Sequence, residues 1–175
     1  MGIRVTGGML RGRIIDSPSG LSVRPTGART REAVFNILQD VSGFSVLDLF
    51  AGSGIMGIEA LSRGASFVVA VENNRKQAIS LRNNYRKLQI ENNLTLWERD
   101  VFSLEFSHEK KTFDLIYADP PFTETYPDLR KFLDFLSPDG VAIFECPSRA
   151  IPEWALEGKV RRYGESSLAF FWKDS

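Results

Sequence analysis

Apolar residues follow two alternating patterns along this chain. Short unbroken runs stand at "SVLDLF" (45–50), "FVVAVE" (67–72), "LTLWERD" (94–100), "FDLIYAD" (113–119) and "VAIFEC" (141–146). Runs of this length without polar alternation predict strands buried on both faces. Between them, apolar residues recur at helical spacing. "IMGIEALSRGA" predicts a helix ended by Gly64, and "NNRKQAISLRNNYRKLQIEN" one with Ala78, Leu81, Tyr85 and Leu88 on a single face. "YPDLRKFLDFLSPDG" predicts another, with Leu129, Phe132, Leu133 and Leu136 aligned and a proline–glycine turn closing it.

The two ends of the chain read differently. "GIRVTGGMLRGRIIDSP" holds two short β-prone pieces around Gly7 and Gly8, the pattern of a hairpin. A helix follows, capped by Thr26 or Gly27, with Ala33, Val34, Ile37 and Leu38 as its apolar stripe. "KVRRYGESSLAFFWKD" predicts a closing hairpin turned at Gly164. Strand and helix alternate from residue 45 to about 150, which predicts an α/β fold: a doubly wound, mostly parallel sheet with helices on both faces. Residues 1–44 are expected to form a basic extension, hairpin plus helix, within the same domain as residues 45–175.

Composition changes this picture little. The 175 residues are 43% hydrophobic and 25% charged, with a net charge of zero. Charge distribution says more. Residues 1–31 carry Arg4, Arg11, Arg13, Arg24, Arg29 and Arg31 against Asp16 alone, a local excess that favours an anionic partner. Cys146 and His108 are single, so neither an internal disulfide nor a Cys/His zinc site is expected. Cys146 reads as a strand-end residue and His108 as a loop residue. No apolar run reaches membrane-spanning length and no signal-peptide core is present, so a cytoplasmic, metal-free monomer is expected.

Candidate chemistry collects at the predicted strand ends, where ligands of such sheets bind. "DLFAGSGIMG" ends the first strand with Gly52, Gly54 and Gly57 in GxGxxG spacing. Glycines there let the backbone turn sharply and approach a ligand, and the helix beyond offers free N–H groups. Glu72 ends the second strand, where a carboxylate can accept both ribose hydroxyls, and Asp100 ends the third, within reach of an adenine amino group. A pocket for an adenosine-containing cofactor follows. NAD and S-adenosylmethionine both fit it. The absence of room for a second catalytic domain, and the Asp-Pro-Pro-Phe that ends the fourth strand, favour S-adenosylmethionine.

That tetrapeptide, residues 119–122, suits methyl transfer to an exocyclic amine. Such a nitrogen is a poor nucleophile because its lone pair is delocalised into the base. Acceptors at its N–H groups favour a more tetrahedral nitrogen. Asp119 supplies one and the Pro120 carbonyl the other, held still by the following proline. Phe122 can stack on the base, worth roughly 1–3 kcal/mol.

"DLFAGSGIMGIEALSRGA", "VVAVENN", "DLIYADPPF" and "RPTGARTREAVFNIL" together resemble the bacterial 16S ribosomal RNA guanine-N2 methyltransferases, the RsmD-like family. The resemblance implies a class I, Rossmann-like methyltransferase: a seven-stranded sheet with an antiparallel C-terminal strand. It implies methylation of a guanine N2 in small-subunit rRNA, free or within an assembled or assembling subunit. It assigns Gly52 and Gly54 to the methionine and ribose parts of S-adenosylmethionine, Glu72 to the ribose, Asp100 with Val101 to the adenine, and Asp119 to Phe122 to the target base. By the same resemblance, Asp48 supports the methionine amino end indirectly. Arg24, Thr26, Arg29 and Asn36 keep open roles: cofactor pocket, RNA contact or anchoring of the first helix. Arg4, Arg11 and Arg13 on the N-terminal hairpin are expected to grip RNA phosphates. The rival readings are an amino-methyltransferase acting on adenine N6 or on a protein glutamine, an NAD-dependent oxidoreductase, and a non-catalytic RNA-binding protein on the same scaffold.

Overall fold

The computed structural model describes residues 2–17, 27–104, 112–121 and 126–173. Two short strands, β1 (Gly2–Arg4) and β2 (Ile14–Asp16), pair antiparallel as the N-terminal hairpin. The helix α1 (Ala28–Leu38) follows. Its N-cap is Gly27; Thr26 lies outside the described residues. Its buried side chains are Thr30, Arg31, Val34 and Phe35, with Ile37 and Leu38 half-buried. The inward face is thus rotated from the predicted stripe, because Arg31 is drawn in by a buried carboxylate described below.

The five predicted strands form as β3 (Ser45–Leu49), β4 (Phe67–Val71), β5 (Leu94–Trp97), β6 (Phe113–Ala118) and β7 (Leu136–Pro147). Helix α2 (Ile55–Ser62) joins β3 to β4, and α3 (Arg75–Lys87) joins β4 to β5. The chain closes with β8 (Lys159–Tyr163) and β9 (Ser166–Trp172). The seven strands lie in the order β5-β4-β3-β6-β7-β9-β8. Strands β3 to β7 run parallel to one another, and β9 is antiparallel to both β7 and β8. The direction of winding reverses between β3 and β6, which places a topological switch point at their carboxyl ends.

The two faces of this sheet are covered differently. The hairpin, α1, α2 and α3 pack on Val46, Val68, Ala70, Leu115, Tyr117 and Ile143. The opposite face packs on Phe132, Leu129, Trp154 and Ala155, which come from short 3₁₀ turns rather than α-helices. The helix predicted over 126–140 is one of these: a 3₁₀ turn spans Arg130–Phe135 and Leu136 already belongs to β7. Only a short stretch separates Pro127 from Pro138, and the residue before a proline is pushed out of the helical region. A helix that short is marginal alone, so the ladder wins and Leu136 pairs with Phe113. The third strand also stops early, at Trp97, and Asp100 lies beyond it. No helix among the described residues is long and apolar enough to cross a membrane.

Candidate active site

The glycine loop turns between β3 and α2. Gly52 and Gly54 both hold positive φ, 56° and 80°, conformations that favour glycine. Gly54 is the N-cap of α2 and carries no side-chain cap, so the first N–H groups of that helix are left for other partners. Gly57 is needed for a different reason. A Cβ there would lie 2.3 Å from the Tyr85 hydroxyl and 2.8 Å from Val68 Cγ1. The third glycine therefore lets α2 seat on α3 and β4.

Three carboxylates line the ends of β3, β4 and β5. Asp48 is buried on β3, and its Oδ2 accepts the Gly57 N–H at 3.2 Å. Burial pushes its pKa up to about 7; the Gly57 hydrogen bond opposes this and the nearby charge of Glu72 adds to it. Glu72 follows β4 directly and is 6% exposed. Its Oε2 accepts the Gly52 N–H at 2.8 Å and its Oε1 the Asn74 N–H at 2.8 Å. The side chain is thereby fixed against the glycine loop, while each oxygen keeps a further lone pair for a hydroxyl donor. Asp100 is exposed, and its Oδ1 accepts the Phe102 N–H at 2.7 Å, capping a 3₁₀ turn whose Val101 is buried.

Asp119 and Pro120 stand at the end of β6, which pairs with β3 on one side and β7 on the other. Asp119 is half-buried, Pro120 buried and Pro121 exposed. Phe122 lies outside the described residues. Sequence reasoning passed over two neighbours. Tyr126 donates its hydroxyl to the Glu145 carbonyl, and its pKa is raised by burial and then by the charge of Asp119. Glu145, buried on β7, accepts the Tyr117 hydroxyl at 2.6 Å through Oε2. An acid inside the apolar run "VAIFEC" was the available signal for Glu145. Its neighbour Cys146 is a buried free thiol at the end of the same strand, its pKa pushed up to about 11 by burial and then by Glu145.

The basic extension divides into two kinds of arginine. Arg4, Arg11 and Arg13 are exposed on the hairpin. Arg31 is buried instead: its Nε lies 3.3 Å from Glu59 Oε1, and its Nη2 donates to the Arg4 carbonyl at 2.8 Å. Glu59 Oε1 also accepts the Thr6 N–H at 2.7 Å. Asn84 on α3 holds the other end of the hairpin. It accepts the Asp16 N–H at 2.9 Å, donates to the Asp16 carbonyl at 2.8 Å, and donates to the Ser53 carbonyl of the glycine loop at 3.1 Å. Arg29 and Asn36 are exposed on α1, and Arg24 lies outside the described residues. So Asp48, Gly52, Gly54 and Glu72 meet at one end of the sheet beside Asp119 and Pro120, Asp100 and Val101 stand past β5, and the hairpin is tied to the glycine loop through Asn84. Among the described residues, no group of three or more His, Cys, Asp and Glu side chains is placed to hold a metal.

This architecture has close likenesses. A family model described as conserved hypothetical protein 95 matches residues 3–172. Ribosomal RNA small subunit methyltransferase D of Escherichia coli K12 is 37% identical over 122 residues, 69% of this chain and 60% of that protein. The matches span 60% to 64% of the length of the curated methyltransferases D. The solved Escherichia coli protein yhhF shares the fold at a TM-score of 0.81 and 28% identity, covering 99% of this chain and 98% of that one. The Thermus thermophilus 16S rRNA N2 G1207 methyltransferase RsmC, solved with AdoMet and guanosine, shares the fold at a TM-score of 0.75 and 24% identity, over 99% of this chain and 50% of that one. The chain belongs to the conserved hypothetical protein 95 family, the family of the small-subunit rRNA methyltransferases D.

Proposed function

We propose that this chain transfers a methyl group from S-adenosylmethionine to the exocyclic N2 amine of a guanine in small-subunit rRNA. One observation carries the reading: the Asp119–Pro120 step ends β6 directly beside β3, whose glycine loop and acids form a nucleoside-type cradle. The family relatives, which include proteins named as rRNA small subunit methyltransferases, support the same substrate class.

The residues present fit the cofactor. Gly52 and Gly54 keep the loop backbone in conformations that favour glycine, and a Cβ at Gly54 would meet Leu81 at 2.8 Å. Glu72 has lone pairs left for the ribose hydroxyls, Asp100 and Val101 flank the adenine, and Asp48 balances the cationic methionine end. When bound, S-adenosylmethionine supplies an electrophilic methyl on a sulfonium centre. The chain does the rest. Asp119 and the Pro120 carbonyl accept the two N–H groups of the guanine amine, which favours a pyramidal nitrogen and orients its lone pair. Asp119, half-buried, acts in a medium where such hydrogen bonds are stronger than in water. Phe122 stacks on the base, which has to leave its helical stack to reach this point. Fixing the two reacting groups in line removes roughly 7–11 kcal/mol of the barrier. In this reading the chain works as a monomer in the cytoplasm, on rRNA free or within a subunit, with no metal.

The test is product analysis. The chain is incubated with methyl-labelled cofactor and with small subunits, or their naked rRNA, from a strain lacking this activity. Nucleoside mass spectrometry should return N2-methylguanosine at one position. Label appearing in N6-methyladenosine, or in protein, would replace this reading with one of its rivals.

A further inference from the structure

Strand β8 is the free edge of the seven-stranded sheet and pairs only with β9. Its sequence is Lys159-Val160-Arg161-Arg162-Tyr163, three cations and no acid, and all three cationic side chains are exposed. Among the described residues none of the three enters an ion pair or a side-chain hydrogen bond. Some other cations are engaged in ion pairs: Arg31 and Arg63 with Glu59, Arg82 with Glu98, Lys87 with Asp16, and Arg130 with Asp128 and Glu157. Of the two acids flanking β8 in sequence, Glu157 is thus already held by Arg130.

Register fixes where these cations stand. Ala118 pairs with Phe144, Phe144 with Ala169, and Ala169 with Val160. One residue further up the sheet, Asp119, Glu145, Leu168 and Arg161 therefore share a level. Three strand spacings of about 4.8 Å separate Asp119 from Arg161, roughly 14 Å in all. That distance is about four nucleotides of stacked strand at ~3.4 Å each. Arg161 and Arg162, adjacent in a strand, point to opposite faces of the edge. Val160, which shares its face with Arg162, packs with the cluster of Phe144 and Trp154.

We propose that β8 is a phosphate-binding rail for the RNA strand that carries the target guanine, a proposal that rests on RNA being the substrate. The hairpin packs on α2 and α3, with its Asp16 end held beside the glycine loop through Asn84 and its turn bonded to Ser62 at the far end of α2, while β8 is the free edge on the β7 and β9 side. The substrate backbone runs across the sheet's carboxyl end to the β8 cations, and the base enters at Asp119, roughly 14 Å from them. Charges on an edge strand also discourage pairing with another sheet. A single charge achieves that. Two successive arginines splayed to both sides, without an ion pair among the described residues and with Arg161 level with the acid, suit phosphate oxygens, which the guanidinium fork binds in bidentate fashion.

The experiment is titration of a small-subunit rRNA fragment onto the full chain at several salt concentrations. It compares the wild type with Arg161→Ala/Arg162→Ala and with Arg161→Lys/Arg162→Lys. The alanine pair should bind about tenfold more weakly at moderate salt. Its plot of log affinity against log salt should be shallower by about 1.4, the loss of two phosphate contacts on a single strand. The lysine pair should keep the wild-type slope. Cofactor affinity, measured on each variant, reports that the fold is intact. Unchanged affinity and slope in the alanine pair would overturn the rail. Methyl transfer by the wild type to the same fragment, followed in parallel, separates the two ideas. Transfer to guanine N2 together with an indifferent β8 overturns the rail alone. A weakened alanine pair with no such transfer by the wild type retires the guanine reading and leaves β8 as an RNA-binding edge.

Discussion

Asp48 is a carboxyl group placed where a charge is expensive. It is buried on β3, holds a single backbone N–H, and feels Glu72 nearby, so its pKa rises from 3.8 to about 7. The sign of the consequence follows. Between these two values the folded chain keeps the proton and the unfolded chain does not. The stabilisation is therefore full below about 3.8 and is lost as pH rises through about 7. In the cofactor-free protein, Asp48→Asn should flatten this decline in the thermal midpoint between pH 4 and 8. Cofactor binding runs the other way. A cationic ligand favours the ionised carboxyl, so affinity should rise with pH through about 7 and release a proton, which calorimetry in buffers of different ionisation enthalpy would detect. An Asp48→Asn variant with the same pH dependence would show that another group titrates. In the proposed function the other two acids divide the work. Asp119→Ala should cut methyl transfer about a hundredfold or more, the scale of losing one group aimed at the reacting centre, with cofactor affinity close to wild type. Glu72→Ala should weaken cofactor binding first, since it removes both the proposed ribose acceptor and the anchor of Gly52. Similar losses of cofactor affinity in both variants would remove that division.

At the scale of elements, the packing of α2 decides how the glycine loop is held. Its contact with α3 and β4 is closest at Gly57, and Asp48 bonds that same residue. Gly57→Ala should therefore destabilise the chain by about 1–3 kcal/mol through overpacking, read as a lower denaturation midpoint. Tyr85→Phe in the same background should recover part of the loss, because the hydroxyl is one of the two atoms a Cβ would strike. No recovery would place the clash at Val68 alone. The glycine spacing of this loop is visible in the sequence, and so is the acid after β4. The reason for the third glycine is not, since it depends on Tyr85, which lies beyond β4 in the last turn of α3.

For the whole molecule, the question is how RNA, cofactor loop and target base are brought to one place. The hairpin is tied to α2 through Arg31, Glu59 and Thr6, and to α3 and the glycine loop through Asn84. A cationic hairpin fixed in this way is held to the body of the molecule and is not a loose tail. Replacing Arg4, Arg11 and Arg13 together by Ala should reduce the salt slope of rRNA binding by about 2, at ~0.7 for each phosphate contact on a single strand. Cofactor affinity in the absence of RNA should stay the same. A slope that does not move would put the phosphate grip elsewhere on the surface.

The sequence alone determined the alternation of buried strands and helices, and with it the doubly wound sheet. It also determined that Gly52, Gly54, Glu72 and Asp119 stand at strand ends, because strand period, glycine conformation and carboxylate identity are local properties. Tertiary structure decided what depends on neighbours far along the chain. It drew Arg31 inward as the partner of Glu59, where sequence counts it among the surface cations. It turned the expected helix over 126–140 into a 3₁₀ turn, because Leu136 gains a ladder partner in Phe113. It set Glu145 and Tyr126 beside Asp119, and it brought Arg161 level with that acid across three strand spacings. Burial, pairing register and charge compensation are properties of the assembled sheet, and no window of sequence contains them.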